Sequence, residues 1–234
     1  SLMTVKAVFI DLDGTLVDSL PALYEGVRRL SVEIDLPDPG RERVGDMIGA
    51  GIRVLVGRLI AWWREAAPGH ALPEVDDALR SLASHWADAG TAAICVYPGT
   101  IEGIRALREA GIKTALVTNK VRDLTLELLQ EKGLAGLFDA IVTGSDCERL
   151  KPYPDMIERA LLLTGVTSAC AVMVGDSRND ALAARAAGVH ALLVETGYNE
   201  GEPLATWATA NGFFNVFDDT AAACRAVLQK EEFR

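Results

Sequence analysis

Val5-Lys-Ala-Val-Phe-Ile10, running directly into Asp11-Leu-Asp-Gly-Thr15, is the stretch whose reading decides the fold. A short apolar run rich in β-branched residues, stopped by acidic residues and a glycine, reads as a strand buried on both faces of a parallel sheet. Its carboxyl end presents Asp11 and Asp13, separated by one residue. In an open α/β sheet that end of a strand is where ligands bind. Gly14 gives the backbone freedom to turn away sharply. Taken alone, the same residues also fit a solvated acidic turn closed by Asp-Gly, so the rest of the chain has to decide.

From about Leu20 to Gly90 there is no alternation of strand and helix. The pattern is helical, with Pro21 near the first helix start and breaks at Pro37-Asp-Pro-Gly40 and Pro68-Gly69. Ile52, Leu55, Val56, Leu59, Ile60 and Trp63 recur at the spacing of one helix face. At Val96-Tyr-Pro-Gly99 the rhythm changes. Lys113–Val117, Ala140–Thr143, Ala171–Val174 and His190–Val194 read as strands with helical segments between them, and Gly111, Gly133 and Gly188 stand where those helices stop. One of these helices is expected to start at Lys151-Pro-Tyr-Pro154, and another closes the chain from about Thr220. The expected class is therefore α/β, a doubly wound parallel sheet with right-handed crossovers. Residues 3–16 and 92–234 would form this core, and residues 17–91 an inserted all-helical domain.

The 234 residues carry a formal net charge of −10, which argues against a general nucleic-acid surface or an anionic membrane surface as partner. An acidic protein that handles an anion needs a local positive centre. The four cysteines (Cys95, Cys147, Cys170, Cys224) form no CxxC pair; Cys170 opens an apolar run and reads as a small core residue. The three histidines are scattered, and each reads as structural. There is no leader-like or membrane-length apolar run, and reduced cysteines fit a cytoplasmic protein. Monomer and homodimer are left open.

Polar clusters stand at comparable places along the core. Asp11 and Asp13 follow one strand, Thr118-Asn119 another, Asp176 and Asp180 a third, and Lys151 precedes a helix. Parallel strands bring their carboxyl ends to one edge, so one crevice would hold four carboxylates, a hydroxyl and an ammonium. Crowded carboxylates repel one another unless a cation is bound. Hard oxygen donors with room for water suit Mg²⁺, whose charge would admit a phosphate to an acidic protein. In that setting Asp11 is placed as a nucleophile and Asp13 as a general acid and base. Thr118, backbone amides near Asn119, and Lys151 would hold the phosphoryl oxygens. Each cluster also has a plain structural reading: a helix cap at Thr118-Asn119, a surface turn at Lys151-Pro152, a solvated helix face at Asp180.

Together these stretches resemble the four motifs of the haloacid dehalogenase superfamily of phosphohydrolases: DLDGT at 11–15, TN at 118–119, KP at 151–152 and GDSRND at 175–180. The resemblance implies a Rossmann-like core, Mg²⁺ and an aspartyl-phosphate intermediate. It implies that Asp11 is both nucleophile and metal ligand, and that Asp13 is the acid/base and gives its backbone carbonyl to the metal. Asp176 would be a ligand, and Asp180 a ligand or support to one. The helical insert resembles the superfamily's cap. Val96-Tyr-Pro-Gly-Thr100, Thr118-Asn-Lys120, Lys151-Pro-Tyr-Pro-Asp155 and Gly197-Tyr-Asn199 with Gly201-Glu-Pro203 carry the likeness further, to the phosphoglycolate phosphatase subgroup. Glu200 stands where that subgroup would lead one to expect an aromatic or small residue.

The implied function is Mg²⁺-dependent hydrolysis of a small phosphomonoester, phosphoglycolate first. A phosphatase or phosphomutase acting on a sugar phosphate is the alternative. A dehalogenase would not need Asp13. A phosphonatase would need a cap lysine, and none occurs from Val17 to Gly90. A non-catalytic phosphate-binding module would have lost a nucleophile or ligand, yet Asp11, Asp13, Lys151 and Asp176 are present. A substrate carboxylate calls for a cation; in a cap without lysine, Arg53 at the start of the amphipathic helix is the candidate, or else simply a solvated arginine.

Overall fold

The computed structural model describes residues 4–234. The chain divides into two compact units, one running to Asp18 and resuming over Val96–Arg234, the other Ser19–Cys95. Sequence reading set the corresponding limits a few residues earlier, at 16/17 and 91/92.

The first unit begins with β1 (Ala7–Ile10), in which all four residues are fully buried. That is why the run shows no polar alternation. After β2 (Val17–Asp18) the chain enters the second unit: α1 (Leu20–Glu33), α2 (Arg41–Met47), α3 (Ile52–Ala66) and α4 (Val75–Ala89). α3 buries Leu55, Val56, Leu59, Ile60 and Trp63. Trp63 satisfies its indole by donating to the Pro37 carbonyl at 2.8 Å, and Trp62 lies under the Arg43 guanidinium, 4.8 Å from ring centroid to Cζ. The Trp62-Trp63 pair is thus used up within the helical unit.

The return passes through β3 (Cys95–Val96), α5 (Thr100–Glu109), β4 (Lys113–Val117), α6 (Arg122–Glu131), β5 (Ala140–Val142) and α7 (Asp155–Thr164). A 3-10 turn at Ser168–Cys170 leads to β6 (Ala171–Gly175), α8 (Arg178–Ala186), β7 (His190–Val194), α9 (Leu204–Ala210), β8 (Val216–Phe217) and α10 (Thr220–Leu228). The main sheet has the order β5-β4-β1-β6-β7-β8, and every pairing is parallel. On one face Phe9, Val117, Met173 and Leu193 pack with Ile157 of α7, Ala183 of α8 and Trp207 of α9.

Several details differ from the reading of the sequence, the two-residue strands β2 and β3 among them. α9 and the two-residue β8 were not expected. α7 starts only at Asp155, after Pro154, so Lys151 stands in the turn before it. Cys170 is half-buried in the 3-10 turn, and it is Cys224 of α10 that is fully buried, where burial pushes its thiol up to about 12. Among the described residues all four cysteines are free, and no helix is long and apolar enough to cross a membrane.

Candidate active site

Strand order reverses at β1: one side continues through β4 to β5, the other through β6 to β8. That reversal opens a crevice at the carboxyl ends of the three central strands. Ile10 lies in register with Leu116 and Val174, so Asp11 emerges one residue past it, and Thr118 and Asp176 two residues past their partners. The order of the strands, more than any single residue, gathers the site.

Asp11, Asp176 and Asp180 each offer an oxygen, all within 4.8 Å of one another. Asp11 Oδ1 accepts from the Leu12 amide at 2.7 Å and faces the Lys151 ammonium at 3.1 Å. Its Oδ2 accepts no protein hydrogen bond among the described residues. Asp176 accepts from the Thr15 hydroxyl at 2.9 Å on Oδ1 and from the Tyr198 amide at 2.9 Å on Oδ2. Gly14 and Gly197 close over this carboxylate, and a Cβ on either would overlap it; Gly14 also has φ +86°. Asp180, at the third position of α8, forms a capping box with Ser177. Its Oδ2 accepts from the amides of Asp176 and Ser177 at 3.0 and 3.2 Å and from the Ser177 hydroxyl at 3.3 Å, while Oδ1 accepts from Lys151 at 2.7 Å. Asp180 thus has both oxygens committed and acts on the site through Lys151 and the turn it caps.

Lys151 has a side chain only 2% exposed. An ammonium has three hydrogens, and three acceptors surround this one: the Val117 carbonyl at 2.8 Å, Asp180 at 2.7 Å and Asp11 at 3.1 Å. Its backbone is clamped by Asn119, whose side-chain amide donates to the Lys151 carbonyl and accepts from its N–H, both at 3.0 Å. Asn119 is therefore tied to the site through the lysine it holds. Thr118 is buried; its Oγ1 accepts from the Lys120 amide at 3.1 Å and donates to no protein acceptor among the described residues.

Asp13 is one-third exposed and faces the Lys120 ammonium at 3.4 Å, a partner that inspection of the motifs missed. Thr15, Tyr198 and Gly197 were likewise missed as supports of Asp176, although DLDGT and Gly197-Tyr198 had both been singled out. Arg53 belongs to the helical unit, where it pairs with Asp76 at 2.9 Å on a largely exposed face.

Three buried carboxylates against one ammonium leave this cluster two charges negative. Burial first, then the repulsion of Asp180, pushes Asp11 well above the usual carboxylate range and Asp176 up to about 7. For Lys151, burial alone would favour the neutral amine, but the attraction of Asp11 and Asp180 overrides it and the net shift is upward. A divalent cation would balance the charge, and an all-oxygen donor set suits a hard one. The residues present fit such an ion.

Residues 5–188 match the family described as haloacid dehalogenase-like hydrolase. Among similar proteins are the plasmid-encoded phosphoglycolate phosphatase of Cupriavidus necator, 39% identical over 87% of this chain and 87% of that one, and the phosphoglycolate phosphatase of Thiobacillus denitrificans, 35% identical over 86% and 88%. The crystal structure of a predicted phosphoglycolate phosphatase from Haemophilus somnus superposes with a TM-score of 0.85 at 28% identity, covering 96% of this chain and 97% of the other. With its motifs standing at the strand ends where the sheet gathers them, the chain belongs to the haloacid dehalogenase-like hydrolase family.

Proposed function

We propose that the chain is a phosphatase that hydrolyses a small phosphomonoester, phosphoglycolate before others, through an aspartyl-phosphate on Asp11. The names of the relatives support the substrate. The observation that carries the chemistry is the state of Asp11: one oxygen is fixed by the Leu12 amide and by Lys151, and the other accepts no hydrogen bond from the described protein.

In the first half-reaction Asp11 Oδ2 attacks phosphorus, the bond from phosphorus to the bridging oxygen breaks, and Asp13 gives its proton to that departing oxygen. In the second, Asp13 takes a proton from water, the water oxygen attacks phosphorus, and the acyl-phosphate bond breaks to restore Asp11 and release inorganic phosphate. The Thr118 hydroxyl and the backbone amides beside it orient the phosphoryl oxygens. Lys151, its hydrogens already committed, works as a fixed charge that keeps Asp11 ionised. Asp11, the Asp13 main-chain carbonyl and Asp176, with Asp180 in support, would hold Mg²⁺, which when bound would supply positive charge to neutralise the phosphoryl oxygens.

The test is phosphate release from a panel of phosphomonoesters with Mg²⁺. Phosphoglycolate is expected to lead. A sugar phosphate preferred by more than about tenfold, or about 1.4 kcal/mol of transition-state binding, would remove the substrate and leave the general phosphatase. Full activity after exhaustive chelation would remove the metal.

A further inference from the structure

We propose that Asn199 is a positioning residue for the metal seat: it fastens the turn at residues 197–199 to the first residue of α8, and so sets the Tyr198 amide that holds Asp176. The inference rests on the reading of Asp176 as a ligand to Mg²⁺.

Asn199 is only 5% exposed, and both ends of its side-chain amide are used. Oδ1 accepts from the Arg178 amide at 2.8 Å and from Arg178 Nε at 3.2 Å, while Nδ2 donates to the Glu202 carbonyl at 3.2 Å. Burying an amide is unfavourable unless its hydrogen bonds are made. Here the shortest of them is made to another loop. The Arg178 N–H is one of the first-turn donors of α8, which no carbonyl within that helix can reach. Ser177 and Asp180 cap the turn from within; Asn199 caps it from outside.

The two segments therefore exchange bonds. Asp176 takes the Tyr198 amide on Oδ2 at 2.9 Å, and two residues later Arg178 gives its own amide to Asn199. Two attachments on adjacent residues fix both the place and the pitch of the peptide that carries them. One alone would leave it free to pivot. Upstream, the Thr196 hydroxyl donates to the Gly14 carbonyl at 2.7 Å, and the Tyr198 hydroxyl donates to Asp18 at 3.2 Å. Downstream, the backbone turns through left-handed conformations at Glu200, φ +54°, and Gly201, φ +83°. A glutamate is retained in that region only where its surroundings hold it, and Asn199 is the residue directly before it. Arg178 adds pairs to Glu200 at 3.4 Å and to Glu202 at 2.9 Å, the latter with Glu202 44% exposed.

The chemistry makes this clasp matter. Mg²⁺ demands near-ideal octahedral geometry, so a carboxylate serves it well only when its remaining lone pairs are aimed. Partners behind a ligand decide that aim. For Asp176 they are the Thr15 hydroxyl and the Tyr198 amide, and Asn199 governs the second.

The test measures Mg²⁺ binding by titration calorimetry without substrate, beside kcat for phosphoglycolate as Mg²⁺ is raised. In Asn199→Ala the Kd for Mg²⁺ should rise by about 10- to 100-fold. At saturating Mg²⁺ its kcat should return to within about threefold of wild type, as for a loss confined to binding. Asn199→Ser, polar but shorter, carries the same expectation if the Ala variant folds poorly. Glu202→Gln, which alters only the exposed end of the clasp, should change Kd by less than about threefold. An unchanged Kd in a folded Ala or Ser variant would make Asn199 purely structural and overturn the inference. So would a kcat that saturating Mg²⁺ fails to restore, or a loss in Glu202→Gln as large as that in Asn199→Ala. Wild type that binds no Mg²⁺ would overturn the metal reading first, before any variant is made, and this inference with it.

Discussion

Lys151 and Lys120 reach the same edge of the sheet from different loops, and their ammonium groups face different carboxylates. Lys151 is sealed in, with a carbonyl and two carboxylates around its three hydrogens. Lys120 faces Asp13 at 3.4 Å, and its side chain is 10% exposed. Removing a buried charge from water is costly, and the cost is recovered only where the partners are close and complete. The first arrangement suits a charge whose position must not change during the reaction. The second sets a charge beside Asp13.

Replacing what Lys151 serves gives the largest expected effect. Asp11→Asn is nearly isosteric but removes the attacking charge, so kcat should fall by at least about 10⁴-fold, the scale seen when a nucleophile is deleted, with the fold retained. A phosphorylated Asp11 trapped and seen by mass spectrometry in wild type would complete the case; substantial turnover by the Asn variant, with deamidation excluded, would falsify the covalent route.

Lys151→Ala comes next, with kcat lowered at least about a hundredfold. It should also lower the melting temperature, because Asp180 and Asp11 stay buried without their cation. A change confined to KM would mean that the two lysines do not differ in kind.

A third experiment probes the charge that Lys151 leaves unbalanced. Asp176 is raised from 3.8 to about 7 in the folded chain, so its contribution to stability is complete below about pH 4 and is lost as pH rises through 7. Measured by calorimetry in EDTA, Asp176→Asn should gain on wild type between pH 5 and pH 8. Mg²⁺ should restore wild type selectively at the higher pH, and a difference that ignores pH would break the account.

Smaller still, Lys120→Met should cost less stability than Lys151→Ala, because Asp13 is one-third exposed and can be hydrated when its partner is lost; a loss as large as that of Lys151→Ala would put both lysines in one class. Arg53→Ala is expected to change kcat/KM for phosphoglycolate by less than about threefold, on the weakness of exposed pairs, and a larger shift would place a substrate contact in the helical unit.

Local signals carried most of the fold. Lys113–Val117 and His190–Val194 are strands residue for residue, because fully covered strands need continuous apolar runs and those runs are visible in one dimension. The motif carboxylates were visible for a related reason: strand ends are where such runs stop. What escaped depends on distance or brevity. Asp13 and Lys120 are 107 positions apart, and nothing in either neighbourhood announces the other. β8 has two residues and α9 seven, too few for a period to repeat. Arg53 was legible as a cation on a helix, but its partner Asp76 sits on another helix, and only tertiary structure can bring them together.

The packing around Asp176 bears on tolerance in the engineer's sense. Most side chains are placed by rotamers, which fluctuate and can be repacked. Gly14 and Gly197 leave no side chain between this carboxylate and the two backbones beside it, and one further amide, that of Tyr198, fixes its second oxygen. Its position is therefore set largely by main chain, whose bond lengths and planar peptides vary far less than side-chain torsions. Substitutions elsewhere in the core can change the fit of the sheet by a methyl group without moving the wall of this seat, whereas a single methyl added at either glycine removes it.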